Sequence, residues 1–179
     1  AAAKRLRHLT PAHYKGVSGQ MDIPENLFLA KYSAGHFNVE DIIAYVNEKL
    51  AAGFYSDRYI DILDAKPRVW DEVSKLFEIL MSEENKDIPS EEKAVWTILK
   101  YHIGLIASDK LEPYSQFKKL LEDIQFYDCS KNIKQYYGDS IGIHYLYAMY
   151  HDDCATKDEI NRMIFKESRK WLDEYSASH

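Results

Sequence analysis

Cysteine is scarce in this chain of 179 residues, where only Cys129 and Cys154 occur. Two thiols are too few for a secreted disulfide scaffold, and their spacing matches no zinc or redox motif, so both are read as free thiols in a reducing cytosol, or as a single bridged pair if the protein is exported. Glycine and proline are thin as well, at seven and five residues. No Gly-rich turn of the dinucleotide or Walker kind gathers the glycines, which leaves no phosphate cradle for a nucleotide cofactor. No run of about 18 apolar residues appears, and no membrane span is expected. Acid is missing from one place: residues 1–20 carry Lys4, Arg5, Arg7 and Lys15 without a single Asp or Glu. Pro11 and Gly16 spoil that stretch as the long amphipathic helix of a targeting presequence. It reads as an appended leader with Met21 as the natural start, or else as a native basic arm.

What remains is strongly acidic. Residues 21–179 set 19 basic against 29 acidic side chains, a net −10. A field of that sign repels phosphate backbones, disfavours direct nucleic-acid binding and attracts basic partners. With 46% apolar residues there is material for a core without disulfide or metal support, and 21–179 is read as one helical domain.

Helix signals recur with short punctuation. One segment follows Asp22 and Pro24 and stops at Gly35. The next is clearer: Asn38 caps it, Asp41 suits the positive end of the dipole, and Val39, Ile42, Ile43, Val46 and Leu50 define one apolar face before Gly53. A short helix opens near Asp57. Pro67 is expected to start the fourth, whose wide stripe from Val69 through Met81 makes it the expected centre of the core. Ser90 and Pro113 start two more. Asp139 is expected to cap a helix over 140 to about 151, and Thr156 with Glu159 has capping-box spacing ahead of the last. The expectation is all-α, about eight helices, as an irregular bundle or stacked antiparallel hairpins, with an armadillo-like or HEAT-like array as a related form.

The richest chemistry lies late in the chain. Six tyrosines fall between Tyr127 and Tyr150, in a stretch that also holds Asp139, His144 and His151-Asp152-Asp153. Tyr136, Tyr137, Tyr145, Tyr147 and Tyr150 take several helix angles, so they cannot all face one core, and tyrosine suits a recognition surface. The plainer reading makes most of them core or boundary residues. The pair His151-Asp152 resembles the adjacent ligands of all-helical HD metallophosphohydrolases, with His102 or His144 upstream and Asp158 or Asp173 downstream. Alternatively, Asp152 and Asp153 are solvated residues near a helix C-terminus, with His151 favourable to that helix's dipole. His102, set in an apolar stripe, is expected to be a hydrogen-bonded core histidine.

Ile23-Pro24, the capped helix Val39 to Leu50, Tyr59-Ile60-Asp61-Ile62-Leu63, Ile88-Pro89-Ser90 and Tyr137-Gly138-Asp139-Ser140-Ile141-Gly142-Ile143 together resemble small all-helical bacterial immunity proteins of contact-dependent and polymorphic toxin systems. The similarity is one of spacing and short fragments over residues 21–153. It implies a cytoplasmic protein with no catalytic residues and no cofactor, which binds the C-terminal domain of a cognate secreted toxin, commonly a basic nuclease, and covers its working surface. On that implication Asp139, Asp152 and Asp153 stand in for phosphates, and Tyr137, Tyr145 and Tyr147 are the anchors. The alternatives are the HD-like hydrolase with His151 and Asp152 as metal ligands, and a helical interaction scaffold.

Overall fold

A computed structural model describes residues 23–130 and 136–175. The basic leader, Met21, Asp22 and the polar link over 131–135 lie outside the described residues, as do 176–179. The described residues form a packed bundle of eight α-helices without a strand: α1 (Glu25–Ser33), α2 (Val39–Ala51), α3 (Asp57–Asp64), α4 (Trp70–Glu83), α5 (Glu91–Ala107), α6 (Pro113–Asp123), α7 (His144–Tyr150) and α8 (Lys157–Tyr175). A 3-10 turn, Asp139–Ile141, precedes α7. No helix among them is long and apolar enough to cross a membrane.

Local chemistry sets most boundaries. Asn38 makes a full capping box: its carbonyl oxygen takes the amides of Glu40 (2.8 Å) and Asp41 (3.2 Å), while Asp41 accepts the Asn38 amide at 2.9 Å. Ser90 accepts from the Lys93 amide, and Pro113 takes the first position of α6 behind Glu112, whose carboxylate accepts from the Ser115 amide. Thr156 and Glu159 exchange bonds ahead of α8, the Thr156 amide reaching Glu159 at 2.8 Å. Each satisfies amides that have no partner inside the helix.

Two expected starts are corrected. Pro67 lies outside α4, which begins at Trp70 behind an extended Val69. The residue before a proline is pushed out of helical conformation, and the chain turns three residues before α4 coils. Asp139 does not cap a helix running to 151. Gly142 has φ +71°, which ends the short turn at Ile141, and α7 starts afresh at His144.

Two hydrophobic clusters make up the interior, and α1 divides them. Leu27, Ala30 and Ala34 enter a larger cluster with α5, α6, α7 and α8, whereas Phe28, Leu29 and Tyr32 enter a smaller one with α2, α3 and α4. These two stripes lie on nearly opposite faces, so α1 is apolar around most of its circumference and is covered on both sides. The expected central role of α4 belongs instead to α5, which packs against α1, α6 and α8. Its Ile98, Leu99, Ile103 and Ile106 are fully buried, each contributing roughly 1.5–3 kcal/mol.

Polar ties fix α1 to both sides. Glu25 accepts from Lys49 (2.7 Å), Lys86 (2.8 Å) and Tyr45 (2.9 Å) of the smaller lobe. On the other side Lys31 meets Asp123 of α6 at 2.6 Å. The buried His102 places Nε2 2.8 Å from the same carboxylate and Nδ1 2.6 Å from Gln116, the hydrogen-bonded core role expected for it.

Candidate functional site

The site grows from the turn that begins at Tyr136. Asp139 folds back so that Oδ2 accepts the Tyr136 amide at 2.7 Å, the Gly138 amide reaches the Cys129 carbonyl at 3.2 Å, and Ile141 and Ile143 drop into the core. Trp171 of α8 clamps the turn by donating Nε1–H to the Ile141 carbonyl at 3.1 Å. Gly142 lies so close to Tyr175 that an added Cβ would stand 2.6 Å from its ring, and its positive φ also favours glycine. The turn is thereby held against α8 from two sides.

From that anchor the chain enters α7 at His144. Ile143 and Leu146 are buried, with Met149 and Tyr150 packed partly against the same core. Residues three and four apart share a face, so His144, Tyr145, Tyr147 and Ala148 are left toward the outside. Tyr136 is 55% exposed, Tyr137 43% and Tyr145 59%. The Tyr136 and His144 rings lie near parallel at 6.1 Å, and His144 contacts Tyr145 at 4.1 Å. Tyr137 contacts Tyr147 at 4.6 Å, and Tyr147 contacts His151 at 4.5 Å. Tyr136, Tyr137, His144, Tyr145, Tyr147 and Ala148 line one groove of about 320 Å³.

The three anchors named from the sequence therefore come together. Tyr136 and His144 join them, residues that the sequence reading placed in the same recognition stretch without naming them as anchors. The signal was present in Tyr136-x-x-Asp139, where an aspartate three residues on can recapture the tyrosine's own amide. Tyr150 goes the other way, stacked on Tyr114 at 4.6 Å and against Phe117. Tyr137 also reaches inward to the Cys129 thiol, and burial together with that bond pushes its hydroxyl up to about 12.

The acids separate by position. Asp139 is largely covered, its side chain 13% exposed, with Oδ1 3.0 Å from His144 Nδ1. That contact has ion-pair range without hydrogen-bond alignment. Asp152 is half-buried and accepts the Cys154 amide at 2.9 Å, forming a turn; Asp153 is exposed. Cys129 is buried, Cys154 is exposed, and both are free thiols.

His151 and Asp152 do not gather a ligand set. His151 is exposed beside Tyr147 and Tyr150, while His102 is engaged by Asp123 and Gln116. Among the described residues no three His, Cys, Asp or Glu side chains converge in metal-binding geometry.

The same turn reads Gly138-Asp139-Ser140-Ile141-Gly142, the G-x-S-x-G spacing of a nucleophile elbow. An elbow requires a strand before the serine, a helix directly after it and a base within hydrogen-bond reach. Here the serine occupies a 3-10 turn, no described strand leads to it, and Ser140 Oγ is buried without a hydrogen-bond partner. The motif's glycines serve the turn.

A second and larger groove, about 800 Å³, lies between the start of α1 and the face of α5 that carries Lys93, Trp96, Lys100 and Tyr101. Nothing in the sequence pattern singled it out. Compared with known proteins, the chain matches no family model, no curated protein and no solved structure.

Proposed function

We propose that this chain is an immunity protein, which binds the C-terminal domain of a cognate secreted toxin and covers the surface that the toxin works with. The observation that carries the reading is the open tyrosine groove around α7. Three rings there are between 43% and 59% exposed although neighbouring tyrosines are packed away. Exposed aromatic rings on a rigid element are the usual anchors of a protein interface, because they bring large contact area at little rotamer cost. The fragment resemblance that includes residues 137–143 points to the same stretch.

Charge supplies the second half of the argument. A net −10 over residues 21–179 draws in a basic nuclease domain and speeds encounter. Tyr137, Tyr145 and Tyr147 are the contact residues and Asp153 is the outward acid. Asp139 and Asp152 act from just beneath the surface, Asp139 holding the shape of the turn. Neither metal nor bond-making is required of an occluding protein.

The test is a titration against the toxin domain encoded beside this gene, together with protection of cells that express it. Tight 1:1 binding and survival are expected. Failure of both would remove the proposal. Association that does not weaken with added salt would remove its electrostatic half alone.

A further inference from the structure

We propose that the groove lined by Tyr136, Tyr137, Tyr145 and Tyr147 is a receptor for an arginine side chain projecting from the basic protein partner. The identity of that partner rests on the immunity reading; the chemistry of the groove does not.

The lining carries the argument. Around about 320 Å³ stand four phenol rings, the His144 imidazole and the Ala148 methyl, with no Lys, Arg, Asp or Glu among them. Ring faces are electron-rich, and a cation within about 6 Å of a face is attracted by the quadrupole. The space accommodates one long side chain. A leucine would also fit such a wall, so charge must decide between the two occupants.

Charge favours the cation. The Asp139 carboxylate sits just behind the rings, 2.7 Å from the Tyr136 amide and 3.0 Å from His144 Nδ1. The base on α8 that interacts with Tyr145, Lys170, is already paired with Glu167 at 2.7 Å. An anion entering the groove would be repelled by the Asp139 carboxylate behind its wall, whereas a cation would be attracted by it. Between the two basic side chains, arginine is planar, stacks on phenol faces and sheds water more readily than an ammonium group.

The experiment is an aromatic NMR titration of the full chain, carrying ¹³C-labelled tyrosine, with the capped peptide acetyl-Gly-Arg-Gly-amide. The comparison peptides replace arginine by citrulline, which keeps the shape and removes the charge, or by leucine. Saturable shifts at Tyr136, Tyr145 and Tyr147 are expected with the arginine peptide, and binding about tenfold weaker with citrulline. Tyr145→Leu, which keeps an apolar wall but removes the ring, should weaken arginine binding about fivefold, with circular dichroism confirming an unchanged fold. Equal response to citrulline or leucine, or shifts that map elsewhere, overturns the proposal.

The toxin titration separates the two claims. If the toxin domain fails to bind the native chain while the arginine peptide still binds at the groove, the immunity reading falls and the groove assignment stands. If the toxin binds the native chain and the Tyr136→Leu/Tyr145→Leu double variant equally well, the groove assignment falls and the immunity reading stands.

Discussion

The smaller lobe and the larger one use tyrosine in opposite ways. In the smaller lobe Tyr45 and Tyr59 are buried to 5% and 2%, with their hydroxyls tied to Glu25 at 2.9 Å and Glu84 at 2.5 Å. Around α7, at the end of the larger lobe, Tyr136 and Tyr145 leave more than half their surface open. The same residue type closes a core in one place and stays available in the other. What separates them is a polar partner for the tip. An acid within reach lets a tyrosine be buried at little cost, whereas in the turn before α7 the nearby Asp139 is directed to the Tyr136 backbone amide and the Tyr136 ring faces solvent.

The cores differ as well. Phe28, Tyr32, Tyr45 and Phe77 meet ring to ring at the centre of the smaller lobe, while aliphatic residues of α5 run through the larger one, with the Trp96–Trp171 and Tyr114–Tyr150 stacks packed against them. Because α1 is buried in both, the lobes should still unfold together. Phe77→Ala and Phe117→Ala each empty a fully buried site, and each should cost about 3–5 kcal/mol in urea unfolding. Variants keeping only Trp70 report on the smaller lobe, and those keeping Trp96 and Trp171 report on the larger. Coincident transitions for both probes are expected in either alanine variant. Separated transitions would break the picture of α1 as the shared wall.

The polar joints on the two sides of α1 offer a finer comparison. Burial alone would raise the Asp123 carboxyl, but His102 and Lys31 overcome it and hold it below its ordinary value. Its side chain is 17% exposed, and Asp123→Asn should cost about 2 kcal/mol at neutral pH, the scale of hydrogen bonds to a charged group. On the other side burial again opposes ionisation of Glu25, yet bonds from Lys49, Lys86 and Tyr45 bring it down to about 2. Both carboxyls are depressed in the folded chain, so each contributes stability that is complete above its ordinary value and is lost as pH falls through its folded one. For Glu25 the window runs from 4.5 down to about 2. Its side chain is 39% exposed, and solvent screening limits the loss to about 1 kcal/mol. Glu25→Gln should flatten that limb of the stability profile and lower the plateau above pH 5 by about 1 kcal/mol without changing its slope. An unchanged slope would show that the larger lobe governs acid unfolding.

Local rules made much of this fold legible. Asn38, Ser90, Pro113 and the Thr156–Glu159 pair mark helix starts because capping involves residues only two or three apart. The opposed stripes of α1 were visible as letters, yet no periodicity says that two different cores wait on either side. For the same reason α4 looked central. Its stripe is as broad as that of α5, and only long-range packing ranks them. Asp139 deceived because an aspartate before an apolar run is a good cap signal, while Gly142 interrupts the helix three residues later. The site was legible as a density of tyrosines. Which rings turn outward depends on Trp171, Tyr175 and Tyr114, residues remote in sequence that dock the turn and α7.

The smallest effect on stability should come from the residue with the largest consequence for binding. Tyr145 is 59% exposed, and replacing it by alanine removes neither a buried contact nor a capping bond, so unfolding should shift by less than about 0.5 kcal/mol. Tyr45→Ala, by contrast, would strip a buried ring from Phe28 and Phe77 and leave Glu25 short of a donor. If tyrosines around α7 are held open for a partner, toxin affinity should fall at least tenfold in Tyr145→Ala, the loss expected when an anchor residue is removed. A variant that destabilises the fold without touching affinity would reverse the assignment, placing Tyr145 among the structural tyrosines. The contrast between the lobes therefore rests on one pair of measurements, stability and affinity, made on the same two substitutions.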